Sequence, residues 1–160
     1  MTNPKIVLLE DLPARIKELR AAKKKIVATN GCFDLLHVGH VRYLKAARAL
    51  GDVLIVGLNG DDSVRDLKGP GRPVNSAKDR AELLAALEAV DVVTIFLEER
   101  ATRFIQLVAP DVYVKGGDYK TATLNAEERQ VLEKLGAKID IIPFEKGYST
   151  SSLLKKLQKE

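Results

Sequence analysis

The sequence contains little cysteine and histidine, and these shortages exclude several classes of protein. One cysteine cannot form an internal disulfide, which excludes a small secreted fold held together by disulfide bonds. One cysteine and two histidines are too few for a closed zinc site built only from these ligands. No run approaches the ~18 consecutive apolar residues of a membrane-spanning helix, and the N-terminal residues lack the apolar core of a signal peptide. We therefore expect a soluble cytoplasmic protein with no membrane partner.

The residues that are present are typical of a globular protein. Apolar residues make up 46% of the chain, which is too many for a disordered protein. The 160 residues contain 26 Lys and Arg against 22 Asp and Glu, a formal net charge of +4. An excess this small, spread along the chain, is compatible with phosphorylated small molecules and does not indicate nucleic acid. We expect a single domain over residues 1–160 and no nucleic-acid partner.

Five short β-rich runs alternate with segments of helical spacing. The runs are residues 26–29, 53–58, 92–96, 112–114 and 139–142. Apolar residues three or four apart indicate helices between them, with a further helix at about 11–22 and a short one at 153–157. Strands that alternate with helices predict an α/β fold with a parallel sheet. Right-handed crossovers make the predicted fold a doubly wound five-stranded sheet with helices on both faces.

Ligands of such sheets bind beyond the carboxyl ends of the strands, so the segments that follow the strands are the candidate site. These segments are residues 30–40, 59–75, 98–101, 115–119 and 143–152. The second contains a basic loop, residues 68–73, whose two glycines and two prolines prevent regular structure. This basic loop is either an ordinary surface loop or a mobile flap over a bound anion, and both interpretations remain open.

The two histidines, His37 and His40, lie at or near the start of the helix that follows the first strand. Residues three apart share one face of a helix, so both imidazoles can point the same way. Unpaired N–H groups at a helix start favour an anion, and Gly39 leaves room for a phosphate to approach the backbone. A zinc site with Cys32 or Asp34 is the alternative, but the glutamate and the spacing of four found in helical zinc pairs are missing.

Two further segments contain groups that bind phosphate. Lys115 supplies positive charge, Gly116 and Gly117 permit close backbone approach, and Asp118 supplies an acceptor. If the first and fourth strands are neighbours, this segment faces the histidines across the crevice. The hydroxyl run at 149–152 precedes the last helix, where it can cap the helix and also hold phosphate.

The sequence contains neither of the two common phosphate-binding loops, G-x-x-x-x-G-K-[ST] and G-x-G-x-x-G after a strand. Cys32, the one thiol, has no assigned base, so a protein nucleophile is not expected. Nucleotidyl transfer fits these features. In that reaction a substrate phosphate attacks the α-phosphorus of a nucleoside triphosphate, pyrophosphate leaves, and the protein positions the groups and neutralises charge.

Two motifs resemble those of the cytidylyltransferase-like nucleotidyltransferase superfamily, which has a Rossmann-like sheet. They are Gly-Cys-Phe-Asp at 31–34 followed by His-Val-Gly-His at 37–40, and Tyr-Ser-Thr-Ser-Ser at 148–152. Two further stretches resemble one group of this superfamily more specifically. They are Leu-Lys-Gly-Pro-Gly-Arg-Pro-Val-Asn at 67–75 and Lys-Gly-Gly-Asp-Tyr at 115–119. That group is the adenylyltransferase domain of the bifunctional heptose 7-phosphate kinase and heptose 1-phosphate adenylyltransferase. The resemblance covers about residues 25–154.

The resemblance implies roles for individual residues. His37 and His40 would contact the triphosphate and stabilise the transition state, and the basic loop would add Lys68 and Arg72. The residues implied to line the nucleotide are Thr29, Asn30, Gly31, Cys32, Phe33, Gly39, Lys115, Gly117, Asp118, Tyr148, Ser149, Thr150 and Ser151. The residues implied to contact the acceptor substrate are Asp34, Arg42, Arg72 and Arg80.

The resemblance also implies a substrate, a metal and partners. ATP would be the co-substrate with Mg²⁺, and a D-glycero-manno-heptose 1-phosphate the acceptor, giving an ADP-heptose for lipopolysaccharide or a related glycan. No carboxylate cluster indicates a dedicated metal site, so the ion would be held mostly by phosphates and water. The resemblance also implies a homodimer or larger homo-oligomer. Because 160 residues cannot hold both activities, the chain is either a standalone adenylyltransferase fed by a separate sugar kinase or a fragment of a bifunctional enzyme.

Two other functions remain open. One is cytidylyl transfer from CTP to glycerol 3-phosphate or another polyol phosphate, since the residues do not reveal the choice of base. The other is a nucleotide-binding module without turnover, against which the intact histidine pair argues.

Overall fold

The computed structural model describes residues 3–117 and 124–159. Helices and strands alternate along the chain as the sequence predicts. In chain order they are α1 (Leu12–Ala21), β1 (Ile26–Gly31), α2 (Val38–Arg48), β2 (Val53–Asn59), α3 (Asp61–Lys68), α4 (Ala77–Ala85), β3 (Val92–Phe96), α5 (Thr102–Val108), β4 (Val112–Gly116), α6 (Ala126–Leu135), β5 (Lys138–Ile142) and α7 (Thr150–Leu157).

The strands form one parallel sheet in the order β3-β2-β1-β4-β5. This arrangement confirms the predicted Rossmann-like, doubly wound, five-stranded sheet. It also confirms that the first and fourth strands are neighbours, with Val27 opposite Val112. The winding direction reverses between β1 and β4, so the crevice expected to hold ligands lies at their carboxyl ends.

Helices cover both faces of the sheet, which explains why the strand sequences are almost continuously apolar. Alternate side chains of each strand point to opposite faces. One face packs against α2 and α4 through a cluster that includes Val27, Leu54, Leu44 and Leu84. The other packs against α1, α5 and α6 through a cluster that includes Ile26, Ile55, Leu12, Phe104 and Leu132.

One helix lies where the sequence predicts a loop. Residues 59–75 contain α3, which begins after the N-cap Gly60 and has Asp61 and Asp62 in its first turn, where acidic side chains favour a helix N-terminus. It ends at Gly69, whose φ of +94° suits glycine. Only Ser63 and Val64 of α3 are buried. An apolar stripe of one residue is too short for periodicity to reveal a helix.

The basic loop therefore begins on the last residue of α3 and is irregular from residue 69 onward. The C-terminal helix α7 also begins earlier than predicted, at Thr150 rather than at 153. Among the residues described, no helix combines the length and the apolar character needed to cross a bilayer.

Candidate active site

The two histidines lie together at the start of α2. His37 is the N-cap residue with extended backbone, and His40 is the third residue of the helix. Their rings stack with centroids 3.8 Å apart and planes 22° apart. The His40 Nδ1 accepts a long hydrogen bond of 3.4 Å from the His37 backbone N–H. This bond assigns the proton of the neutral His40 ring to Nε2, which leaves that atom as a donor.

Both imidazoles are uncharged at neutral pH. Burial lowers the pKa of His40 to about 4, with the neighbouring His37 as a smaller cause, and burial also lowers the pKa of His37. The His37 Nδ1 is buried, and within residues 3–117 and 124–159 it has no hydrogen-bond partner. A buried polar atom without a partner is costly in a folded protein. The same side chain is turned towards the backbone N–H of His40 in a capping-box arrangement.

Gly39 lies where side chains crowd the backbone. A Cβ at this position would come within 2.9 Å of the His37 ring and 3.0 Å of the Tyr148 Cβ. Glycine is therefore needed for the packing of the protein's own side chains. That Gly39 also admits a phosphate stays a prediction.

A pocket of ≈ 150 Å³ opens beside the histidines, between α2 and the β5–α7 loop, residues 143–149. It brings together two segments that are about 100 residues apart in the sequence. Its lining includes His37, His40, Arg42, Tyr43, Phe144 and Tyr148. Predicted residues from the histidine motif and from the late Tyr-Ser-Thr-Ser-Ser motif thus lie around one pocket.

The β5–α7 loop is held by exposed contacts. Arg42 of α2 forms an ion pair with Glu145, in which the two side chains are 51% and 44% exposed. The guanidinium of Arg42 lies 5.6 Å from the centroid of the Tyr148 ring. Phe144 packs over Gly117. A side chain at this position would place its Cβ 2.5 Å from the Phe144 ring, and the backbone φ of +101° also favours glycine.

The hydroxyl run is divided between capping and tethering. Ser149 caps α7 by accepting the Ser152 N–H at 3.0 Å, and the Thr150 hydroxyl donates to the Leu35 carbonyl at 3.3 Å. The Thr150 bond ties the start of α7 to the loop before α2. Ser151 is exposed.

The basic loop is held at the site by Asp34, which is only 2% exposed. One carboxylate oxygen accepts from Arg72 Nε at 2.5 Å, and the other accepts the N–H groups of Val74 and Asn75 at 2.8 and 3.3 Å. Both oxygens are thus used within the protein, and this geometry does not favour the predicted contact of Asp34 with the acceptor. Lys68 lies at the end of α3 with its side chain exposed.

Arg80 of α4 is fully buried and connects four segments. Its guanidinium donates to the carbonyls of Asn75, Cys32 and Asn59 at 2.7 to 3.0 Å. It also donates to the Asp61 carboxylate at 2.7 Å. A side chain with no exposed surface favours a positioning role over the predicted contact with substrate.

Thr29, at the end of β1, also has a buried side chain. Its hydroxyl lies 2.7 Å from the Tyr43 hydroxyl and donates to the Val114 carbonyl at 2.8 Å. Burial raises the pKa of Tyr43 to about 12, so this phenol stays neutral. These bonds join β1, β4 and α2 beneath the histidines, a role that the motif did not reveal.

The residues between Thr29 and Asp34 shape the start of the histidine segment. A Cβ on Gly31 would lie 2.9 Å from the Phe33 ring, which is itself buried and 5.3 Å from the His40 ring. Burial raises the pKa of the Cys32 thiol despite the nearby cations Lys68, Arg80 and Arg72. The thiol is therefore not activated, as the sequence led us to expect.

A second polar cluster lies at the carboxyl ends of β1 and β4, on the face covered by α5 and α6. Lys115 Nζ donates to Asn30 Oδ1 at 3.0 Å, and the Tyr113 hydroxyl donates to the same oxygen. Glu128 of α6 lies 3.9 Å from Lys115 Nζ. Asp118, which the sequence predicts beside Lys115, lies outside the described residues.

Sequence reasoning missed Tyr43 and Glu128. Glu128 faces inward four residues before Leu132, and these two are the buried residues of α6. A charged residue at a core-facing position of an amphipathic helix is the signal that could have found it.

Comparisons with known proteins show what this chain is similar to. The cytidylyltransferase-like family model matches residues 28–156. The "Bifunctional protein HldE" of Helicobacter pylori strain J99 is 48% identical over 158 residues, which cover 99% of this chain and 32% of the relative. The protein of the same name from Geotalea uraniireducens is 46% identical over 157 residues, 98% of this chain and 32% of the relative. The chain therefore spans about a third of the length of the curated relatives it matches.

Two solved structures share the fold. The lipopolysaccharide core biosynthesis protein from Thermoplasma volcanium is 30% identical, with a TM-score of 0.64, and the match covers 79% of this chain and 99% of that one. Pantoate-beta-alanine ligase from Francisella tularensis has a TM-score of 0.60 over 91% of this chain and 68% of its own. At 18% identity the ligase supports the fold alone.

Proposed function

This chain belongs to the cytidylyltransferase-like family, and on that premise we propose that it transfers the adenylyl group of ATP to a heptose 1-phosphate. The products would be pyrophosphate and an ADP-heptose that serves as a precursor of lipopolysaccharide or a related glycan. The relatives named HldE and the resemblance of residues 67–75 and 115–119 to the heptose adenylyltransferases support this acceptor.

The observation that carries the proposal is the stacked histidine pair at the start of α2. Two stacked imidazoles, whose neutral forms are favoured by burial, supply hydrogen-bond donors beside the unpaired N–H groups of a helix N-terminus. Donors of this kind stabilise charge that develops on phosphate oxygens in a transition state.

The reaction needs no covalent intermediate on the protein. An oxygen of the sugar phosphate attacks the α-phosphorus of ATP, the bond between that phosphorus and the bridging oxygen breaks, and the electron pair leaves on pyrophosphate. His37 and His40 would donate to the triphosphate oxygens. Lys68, Arg72 and Lys115 would neutralise charge, and the pocket beside Arg42 and Tyr148 would receive part of the nucleotide.

Mg²⁺ would enter as part of the ATP complex. In the described part of the chain no three His, Cys, Asp or Glu side chains lie close enough together to hold a metal ion. Asp34, the carboxylate next to the histidine motif, already uses both oxygens. A metal held mainly by phosphates and water fits this set of residues.

The remaining expectations about organisation are part of the same proposal. A single domain over residues 1–160, a homodimer or larger homo-oligomer, and a separate sugar kinase that supplies the heptose 1-phosphate stay predictions. The word "Bifunctional" in the relatives' name, and their threefold greater length, support a second activity outside the region matched here.

The function is tested by measuring pyrophosphate release from purified protein. ATP and CTP are each combined with D-glycero-manno-heptose 1-phosphate in both anomeric forms and with glycerol 3-phosphate. We expect release from ATP with one heptose 1-phosphate anomer. Release only from CTP with glycerol 3-phosphate would support the cytidylyl alternative, and ATP binding without release from any pair would support a non-catalytic binding module.

The role of the histidines is tested with His37→Ala and His40→Ala. Each change removes one donor to the transition state, so kcat/KM should fall by about 10²–10³-fold. Lys45→Ala, an exposed change on the same helix, is the matched control and should leave kcat/KM unchanged. A variant that bound ATP poorly but turned over normally would contradict the catalytic assignment.

A further inference from the structure

Glu128 is a buried carboxylate that the proposed reaction does not use. It lies in the first turn of α6, where a glutamate ordinarily faces water or caps the helix. The cap is supplied instead by Asn125, whose side chain accepts the N–H groups of Glu127 and Glu128 at 3.0 and 3.2 Å. The Glu128 side chain is therefore available to point inward, and it is only 9% exposed.

Each carboxylate oxygen of Glu128 faces a different group. Oε1 accepts the backbone N–H of Ala101, the N-cap residue of α5, at 3.0 Å. Oε2 lies 3.9 Å from Lys115 Nζ at the end of β4. Glu128 is thus fixed by α5 on one side and directed at a lysine on the other.

Lys115 lies near the carboxyl end of β4, beside β1, at the point where the winding of the sheet reverses. Its side chain is 17% exposed, its Nζ donates to Asn30 of β1, and it lies 5.7 Å from the centroid of the Tyr113 ring. Burying an ammonium group without an opposite charge is costly, and Glu128 supplies that charge.

From this geometry we propose that Glu128 is a positioning residue that holds the Lys115 ammonium at the crevice between β1 and β4, ready for a substrate phosphate. The inference rests on the proposed function, because it assigns Lys115 to the phosphate groups of the reaction. Glu128 itself would touch neither substrate. It would act by keeping its partner charged and directed.

The titratable groups around Lys115 determine in which direction its pKa should change when the charge of Glu128 is removed. Burial lowers the pKa of Lys115, while Glu128 of α6 and, to a lesser degree, Cys32 of the loop after β1 raise it. Tyr113 of β4 stays neutral because burial and the charge of Glu128 raise its pKa well above the usual value. Removal of the Glu128 charge should therefore lower the pKa of Lys115, so that the ammonium is lost at a lower pH.

The test compares Glu128→Gln with Glu127→Gln, an exposed change at the adjacent position of the same helix. Glutamine keeps an acceptor for the Ala101 N–H, while an uncharged amide N–H₂ replaces the carboxylate oxygen that faces Lys115. The titration of Lys115 is followed by NMR of its side-chain carbon, assigned with Lys115→Arg. In Glu128→Gln we expect the midpoint of the Lys115 titration to fall by about one pH unit. The alkaline limb of the pH profile of kcat/KM should move to lower pH by the same amount. In Glu127→Gln neither should move.

Each outcome has a separate meaning. An unchanged Lys115 midpoint in Glu128→Gln would overturn the proposal, and so would a lowered midpoint that leaves the pH profile of kcat/KM in place. A wild-type protein without transferase activity would defeat the proposed function, while the NMR titration would still decide whether Glu128 controls Lys115. If Glu128→Gln does not fold, Glu128→Asp keeps the charge at a greater distance and should lower the midpoint by a smaller amount. A wild-type midpoint in that variant would overturn the proposal.

Discussion

The two borders of the candidate site are held in opposite ways. On one side the basic loop is fastened by buried charges, with Asp34 and Arg80 almost or fully inaccessible to solvent. On the other side the β5–α7 loop is exposed along its length, and the ion pair that joins it to α2, Arg42 with Glu145, is about half exposed in both partners. Both borders carry residues that the sequence predicts to contact substrate.

The difference teaches where the site is preorganised and where it can adapt. Buried hydrogen bonds to charged groups are strong and costly to break, whereas exposed ion pairs contribute little. The basic loop should therefore keep its conformation when substrate arrives. The β5–α7 loop can separate from α2 at small cost, which suits the border of a pocket that, under the proposed function, admits part of a nucleotide.

The largest effect should follow from Arg80→Met. The change keeps the length of the aliphatic side chain but leaves three carbonyls and Asp61 without their donor, so we expect the free energy of unfolding to fall by about 3 kcal/mol in urea titrations. Arg65→Met, which removes an exposed pair with Asp62 on α3, is the control and should change it little. Equal losses in the two variants would remove the distinction between buried and exposed contacts.

A smaller effect is expected from Asp34→Asn. The amide can still accept from one backbone N–H, but the charge opposite Arg72 is lost, so the free energy of unfolding should fall by about 1.5 kcal/mol. The basic loop should also open more often, which trypsin would report as faster cleavage after Lys68. Asp66→Asn, at an exposed position of α3, should cleave at the wild-type rate. A protected basic loop in Asp34→Asn would mean that other contacts hold this border.

The smallest effect is expected from Glu145→Gln. The partner Arg42 is exposed and remains solvated, so the melting temperature measured by circular dichroism should match that of the wild-type protein at both low and high salt. A clear loss of thermal stability would mean that the β5–α7 loop, like the basic loop, is held by contacts that contribute strongly to stability.

The sheet could be predicted from the sequence because its determinants are local. Continuous apolar runs such as residues 53–58 identify buried parallel strands, and the rule for right-handed crossovers restricts their order. Helix α3 could not be predicted from the sequence. Val64 is its one buried apolar side chain, so the segment has no apolar stripe with helical spacing.

The candidate site was only partly predictable, for a different reason. Asp34, Arg72 and Arg80 stand out in the sequence, but their contacts include partners far away along the chain. Arg72 lies 38 positions from Asp34, and Arg80 lies 48 positions from Cys32. Short motifs do not reveal whether a charge faces a ligand or another part of the protein. Glu128 was missed because it follows Glu127 in an acidic first turn, where both residues look solvent-exposed.

The four acceptors of Arg80 also predict how the site opens. One guanidinium holds Cys32 after β1, Asn59 at the end of β2, Asp61 at the start of α3 and Asn75 just before α4. None of these can loosen far without breaking the bonds of the others. Backbone amides in these segments should therefore exchange with deuterium as one cooperative unit, with a common free energy of opening. This edge of the candidate site would then behave as one foldon, although the groups that Arg80 holds come from three separate stretches of the chain.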